Sequence, residues 1–121
     1  MEESVRQTIA DLFPTAVLSI AGGKGDGGLD VRVDFSDSSE SWGISCKNYP
    51  SGKSVDADAI QAVGSLYADS RFDGRQLKCF LFHVGAKVTP DAKKQAGMKR
   101  VTILEWDRAV EWLRMHAKKR N

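Results

Sequence analysis

Gly22-Gly23-Lys24-Gly25-Asp26-Gly27-Gly28-Leu29-Asp30-Val31 runs into Arg32-Val33-Asp34-Phe35, and after a polar turn comes Ser41-Trp42-Gly43-Ile44-Ser45-Cys46-Lys47. Five of the seven residues 22–28 are glycine, which makes this segment a loop or tight turn. Beyond it the chain alternates with the period of a strand. Leu29, Val31, Val33 and Phe35 point one way; Asp30, Arg32 and Asp34 point the other. Residues 36–39 are turn-forming. In residues 40–47, Trp42, Ile44 and Cys46 share one face, and Gly43, Ser45 and Lys47 share the other. If both apolar faces meet one core, Asp30, Ser45 and Lys47 come together on the opposite, polar face of this hairpin.

The flanking elements follow from periodicity and punctuation. Val5, Ile9, Leu12 and Phe13 recur at helical spacing, so residues 2–13 read as an amphipathic helix that Pro14 ends. Residues 16–20 are a short apolar strand. After the loop 48–54, Asp56 or Asp58 caps a helix running to about Ser70, with Ile60, Val63 and Tyr67 inward. Residues 78–84 are apolar on both faces, as a buried central strand requires. Thr89 caps a short helix with Pro90 at its first position. Residues 101–104 form a last strand, and Asp107 opens a final helix with Ala109, Val110 and Leu113 inward. The order is αβββαβαβα. No internal repeat, low-complexity tract or linker divides it, so residues 1–121 read as one α/β domain.

A 121-residue chain is long enough to bury a core without disulfide or metal staples. No apolar run approaches the ~20 residues that span a bilayer, so no membrane association is expected. Met1-Glu2-Glu3-Ser4 lacks the basic-then-apolar pattern of a signal peptide. Cys46 and Cys79 stand far apart inside apolar runs, which favours buried free thiols and a reducing, cytoplasmic setting. The net charge of +2 is unevenly spread. Residues 1–83 hold 8 basic and 12 acidic side chains; residues 84–121 hold 10 basic and 4 acidic. A basic C-terminal third beside an acidic cleft suits a protein that meets a polyanion while holding a cation. For Lys118-Lys119-Arg120 alone, a solvated helix end that complements the helix dipole is an equal reading.

Gly23-x-Gly25-x-x-Gly28 formally matches a dinucleotide-binding fingerprint. That motif needs a strand before it and a helix after it; here a strand follows, and the fingerprint is set aside. Asp30 and Lys47 form a sharper pair. Cleaving a phosphodiester takes an anionic oxygen to hold a divalent cation and a positive group near the water or phosphate. The plainer reading of the same spacing is a cross-strand ion pair on a solvated sheet face. Asp26 is a metal ligand or a turn residue. Glu2 reaches the site or is a surface charge. His83 lies in the buried strand and reads as a satisfied core or strand-end histidine, His116 as surface. Trp42, Trp106 and Trp112 read as core.

The runs Gly25-Asp26-Gly27-Gly28-Leu29-Asp30-Val31 and Ile44-Ser45-Cys46-Lys47-Asn48-Tyr49 resemble the Mrr-type restriction endonuclease domain of the PD-(D/E)xK nuclease superfamily. The resemblance extends from about Glu2 to Leu113. It implies a restriction-endonuclease-like core, a mixed central sheet flanked by helices, and metal-dependent hydrolysis of DNA phosphodiesters. Asp30 matches the metal-binding aspartate and Lys47 the catalytic lysine. Asp26 matches the approach loop, and Glu2 roughly matches an acidic residue of the first helix. Mg²⁺ or Mn²⁺ is the implied cofactor, with the Cys46 carbonyl as a further ligand. Thr89 and Ala92 match the start of the late helix. Lys24, Lys53, Lys87, Thr89 and Lys93 are the candidate DNA contacts. Ser45 departs from the pattern, standing where the superfamily has Asp or Glu and Mrr-type proteins often have Gln. It serves through a bound water, or else the chain is a nuclease-fold module that binds DNA or a protein partner with cleavage weakened or lost. Val84-Gly85 stands where relatives often carry threonines. A domain this size has no visible reader of sequence or methylation, so a homodimer, or a specificity or activator domain or subunit, is expected.

Overall fold

A computed structural model describes residues 1–20, 28–49 and 53–120, with Ile20 described in its backbone alone. Lys24 and Asp26 lie outside the described residues. The chain runs α1 (Glu2–Leu12), β1 (Ala16–Ile20), β2 (Val31–Phe35), β3 (Glu40–Asn48), β4 (Ser54–Val55), α2 (Ala57–Gly64), β5 (Gln76–Val84), β6 (Lys87–Val88), α3 (Pro90–Lys99), β7 (Val101–Glu105) and α4 (Trp106–Arg120). Two 3-10 turns, Ser65–Ala68 and Ser70–Phe72, follow α2. The expected helix to Ser70 therefore stops at Gly64. The ladder of β4 with β6 is an addition to the expected order.

Five strands make the main sheet in the order β1-β2-β3-β5-β7. The first three are antiparallel neighbours and the last three parallel. Helices cover both faces, so the α/β class and the mixed sheet with flanking helices hold. Two cores result. On one face Val31, Val33, Phe35, Trp42, Ile44, Phe80 and Phe82 meet Val5 and Ile9 of α1 and Ala109 and Leu113 of α4. On the other, Cys79, Leu81 and Val101 meet Ile60 and Val63 of α2, Leu66, and Ala92 and Ala96 of α3. Trp42 is the hub of the first core. Its ring centroid lies 5.4 Å from Phe13, 4.8 Å from Phe35 and 5.3 Å from Phe80. Its indole N–H donates to Glu40 Oε2 at 2.6 Å, so burying this ring strands no donor. Among the described residues no helix is long and apolar enough to cross a membrane.

The caps follow the chemistry of their residues. Asp56 accepts from Ala59 N at the start of α2, and Thr89 accepts from Ala92 N at the start of α3. Arg100 closes α3 in the left-handed conformation at φ 58°, and the strand β7 begins at the next residue.

Candidate functional site

The site residues gather where β2 begins and β3 ends. Gly28 takes a φ of +80°, which only glycine adopts without strain. A Cβ there would also stand 3.4 Å from the Cβ of Ala62. The chain leaves this turn out of step with the sheet. Leu29 is buried in the second core, whereas Val31 is buried in the first. The expected single face of Leu29 with Val31, Val33 and Phe35 is thus corrected at Leu29. The β2–β3 register pairs Val31 with Ile44. The Asp30 N–H, however, donates to the Ile44 carbonyl at 2.8 Å, one residue off that register.

This slip turns the Asp30 side chain toward β3. Its Oδ2 accepts the backbone N–H of Cys46 at 2.7 Å. The two bonds bracket Ser45. On a strand the N–H and C=O of one residue point to the same side. The Cys46 carbonyl therefore faces the β2 side as well, beyond the last β2 pair, where the Asp30 carboxylate sits. Lys47 follows at once. The ion pairs among the described residues do not include Asp30 with Lys47, so the plain cross-strand pair is not formed.

The Cys46 thiol registers the surrounding charges. Burial pushes its pKa up, and the carboxylates of Asp30 and Glu2 push it further, to about 12; the N-terminal ammonium and Lys47 oppose them. Glu2, at the start of α1, is thereby placed within electrostatic reach of the same strand end as Asp30 and Lys47. Cys46 and Cys79 are both free thiols, and the expected burial holds for Cys79 but only in part for Cys46.

Ser45 requires a correction. The face that Gly43, Ser45 and Lys47 share is not a solvated polar face, because α2, α3 and the first 3-10 turn cover it. Ser45 is 0% exposed, and its Oγ has no hydrogen-bond partner among the described residues. Gly43 shows how tight this layer is: a Cβ there would come within 3.0 Å of Leu66 Cδ1.

At the same end, Lys47, His83 and Glu105 are aligned partners across β3, β5 and β7. His83 is 6% exposed, and its Nδ1 is sealed without a partner among the described residues. Burial lowers its pKa, and Glu105 pulls it back part of the way. The ring is neutral near pH 7.

The candidate DNA contacts divide. The Lys87 N–H donates to the Lys53 carbonyl at 3.4 Å, and Lys53 Nζ lies 4.7 Å from the Tyr49 ring centroid, so these two lysines share the β4–β6 corner. Lys93 is exposed on α3. Thr89 is different: its hydroxyl caps α3, and it lines a cavity with Asp56, Asp58 and Asp91. Three carboxylates make that cavity a poor place for a phosphate. The C-terminal basic run is corrected too. Arg120 donates to Glu40 Oε1 at 3.2 Å and Asp37 Oδ1 at 3.1 Å, and its guanidinium lies 3.8 Å from the Phe35 ring centroid. Glu40 opens β3 and Lys47 nearly closes it, about 23 Å away at the rise of an extended strand. Lys118-Lys119-Arg120 is thus at the far end of the sheet from Asp30. His116 is not surface: it is half-buried, stacked on Trp112 at 4.9 Å and tilted against Trp42 at 5.6 Å.

Among the described residues, no three His, Cys, Asp or Glu side chains converge as a metal-holding cluster. A hard cation such as Mg²⁺ binds through one or two carboxylates and keeps several waters. The Asp30 carboxylate and the Cys46 carbonyl are oxygen ligands of that kind, and these two groups fit such an ion.

No protein-family model matches the chain. No curated protein matches it either. Among solved structures, the chain is similar to the crystal structure of AF1548, a protein of unknown function, with a TM-score of 0.65 at 16% identity over 88% of this chain. That likeness is one of fold. The chain spans 56% of the length of that protein.

Proposed function

We propose that this chain is a metal-dependent DNA endonuclease domain with a restriction-endonuclease-like core of the PD-(D/E)xK type. The observation that carries the reading is the bond from Cys46 N–H to Asp30 Oδ2 at 2.7 Å. It fixes a carboxylate one residue before Lys47 on the same strand end, with the Cys46 carbonyl turned to the same side. Mg²⁺ or Mn²⁺ bound there would supply Lewis-acid polarisation of the phosphate and an acidified water. Asp30 and the Cys46 carbonyl would hold the ion, with the negative charge of Glu2 from α1 acting on the same strand end. Lys47 sets its ammonium where negative charge builds on the phosphate. Lys53 stands just before β4 and Lys87 opens β6, and the two steer the DNA backbone. Target choice falls to a second copy of the chain or to a partner.

One observation favours a second reading. Ser45 is neutral and fully buried where the superfamily pattern carries an acid or Gln. On that reading the fold binds DNA and cleavage is lost. Incubation with supercoiled DNA separates the two. Nicking or linearisation in Mg²⁺ or Mn²⁺ that stops on chelation supports the nuclease. Salt-sensitive binding without conversion in either metal supports the binding module.

A further inference from the structure

His83 is a polar side chain whose burial the proposed metal site leaves unexplained. The ring is 6% exposed, and Nδ1 is sealed with no partner among the described residues. An orphaned buried N–H is rarer and costlier than an orphaned lone pair. The neutral ring therefore carries its proton on Nε2 and leaves Nδ1 as the bare acceptor. Nε2 is not among the sealed, unpartnered atoms. The N–H is on the nitrogen that can still meet a ligand.

The position of the ring says which ligand. His83 and Lys47 are aligned partners in the parallel β3–β5 ladder, so their side chains leave the same face of the sheet on strands about 4.8 Å apart. Both stand at the C-terminal ends of parallel strands, where open α/β sheets place their ligands. An ammonium and an imidazole N–H leave adjacent positions of this face as two donors, with Glu105 aligned on the other side of His83. That pairing suits the two non-bridging oxygens of one phosphodiester.

We propose that His83 donates its Nε2–H to a non-bridging oxygen of the same phosphodiester that Lys47 serves. This rests on the nucleic-acid reading of the site and names a contact within it. His83 is a binding residue here. It transfers no proton, and its contribution is that of an uncharged hydrogen bond.

An uncharged donor and a lysine leave different signatures in DNA binding. Affinity for a short duplex is measured with Ca²⁺ replacing Mg²⁺, across a series of salt concentrations. Lys47→Ala should lower the slope of log affinity against log salt by about one. His83→Leu, which fills the same space, should weaken binding roughly 10-fold at every salt with the slope unchanged. His83→Gln, which can place an amide N–H near the ε position, should restore most of the loss. The wild-type imidazole ¹⁵N resonances give a reading that needs no variant: the Nε2 signal should move when duplex is added. A folded His83→Leu that binds like wild type, or an Nε2 signal that duplex leaves in place, overturns the proposal. If wild type cleaves DNA while His83→Leu binds normally, this contact alone fails. If wild type binds without cleaving and His83→Leu is weakened, the contact stands and the nuclease reading fails. Wild type that shows no binding to DNA overturns both.

Discussion

Asp30 holds the backbone of Cys46: its Oδ2 accepts that N–H at 2.7 Å, while its own N–H reaches the Ile44 carbonyl at 2.8 Å. One residue therefore does two things. It ties down β3 at Cys46, and it presents a carboxylate at the residue before Lys47. Substitutions separate the two roles. Asp30→Asn keeps an acceptor oxygen for Cys46 and removes the charge, so its stability in urea should stay within about 1 kcal/mol of wild type. Asp30→Ala loses the acceptor as well and should cost about 1.5–3 kcal/mol. Equal stability of the two variants would show that the bond to Cys46 contributes nothing.

The two thiols are predicted to be inert in the folded protein. Cys46 is pushed up to about 12 by burial and then by Asp30 and Glu2, and Cys79 to about 11 mainly by burial. The thiolate is the reactive form. At about pH 8, Ellman's reagent should find neither thiol in native protein and both after denaturation. Rapid labelling of native Cys46 would mean that the strand end opens, or that the carboxylates do not surround it.

Arg120 should matter to stability and not to DNA. It joins the end of α4 to Glu40 and Asp37 and covers the Phe35 ring. Its side chain is 15% exposed, so the pair with Glu40 is less screened than a surface ion pair. Arg120→Ala should destabilise by about 1–3 kcal/mol through the lost charge pair and ring contact. Its DNA affinity and salt slope should match wild type, because it lies at the far end of β3. A reduced salt slope would place the C-terminal run on the DNA.

Stability should fall with acid in two stages. His83 and His116 have pKa values lowered chiefly by burial, with Glu105 and Glu40 respectively pulling the other way. Their folded values lie below the ordinary 6.5, so the stability they contribute is present above that pH and is lost as pH falls through the folded values. The carboxylates follow. Burial raises Asp34, but hydrogen bonds from Arg32 and Ser41 and the charges of Arg32 and Arg75 outweigh it, so its pKa lies below 3.8. Burial likewise raises Glu40, and Trp42, Arg120 and Lys78 bring it below 4.5. The urea midpoint should drop first below about pH 6.5 and again below about pH 4. His83→Leu combined with His116→Phe should flatten the first stage and leave the second.

Much of this was legible in the residues. Alternation placed Val31, Val33 and Phe35 in one core, and Thr89-Pro90 announced α3 correctly. The one-sided hairpin fails because the sheet is covered on both faces. The apolar run of β5 on both of its faces already requires helices on both sides of the sheet. Ser45 is central enough in β3 to fall under the second layer, and Gly43 beside it was the available signal, since a small residue there admits Leu66. The slip at Asp30 was not legible, because it depends on where Gly28 turns the chain. The location of Arg120 was not legible either. A helix that starts beside β7 and runs back along the sheet carries its basic end away from the site, and charge counted along the sequence does not record that direction.

The most direct measurement is cleavage of supercoiled and linear DNA in Mg²⁺ or Mn²⁺ by wild type, Asp30→Asn and Lys47→Ala, each shown to be folded. The account predicts metal-dependent cleavage by wild type, its loss in Asp30→Asn, and a fall of about 100-fold or more in Lys47→Ala. Equal activity in all three proteins, or none in wild type with either metal, would contradict it.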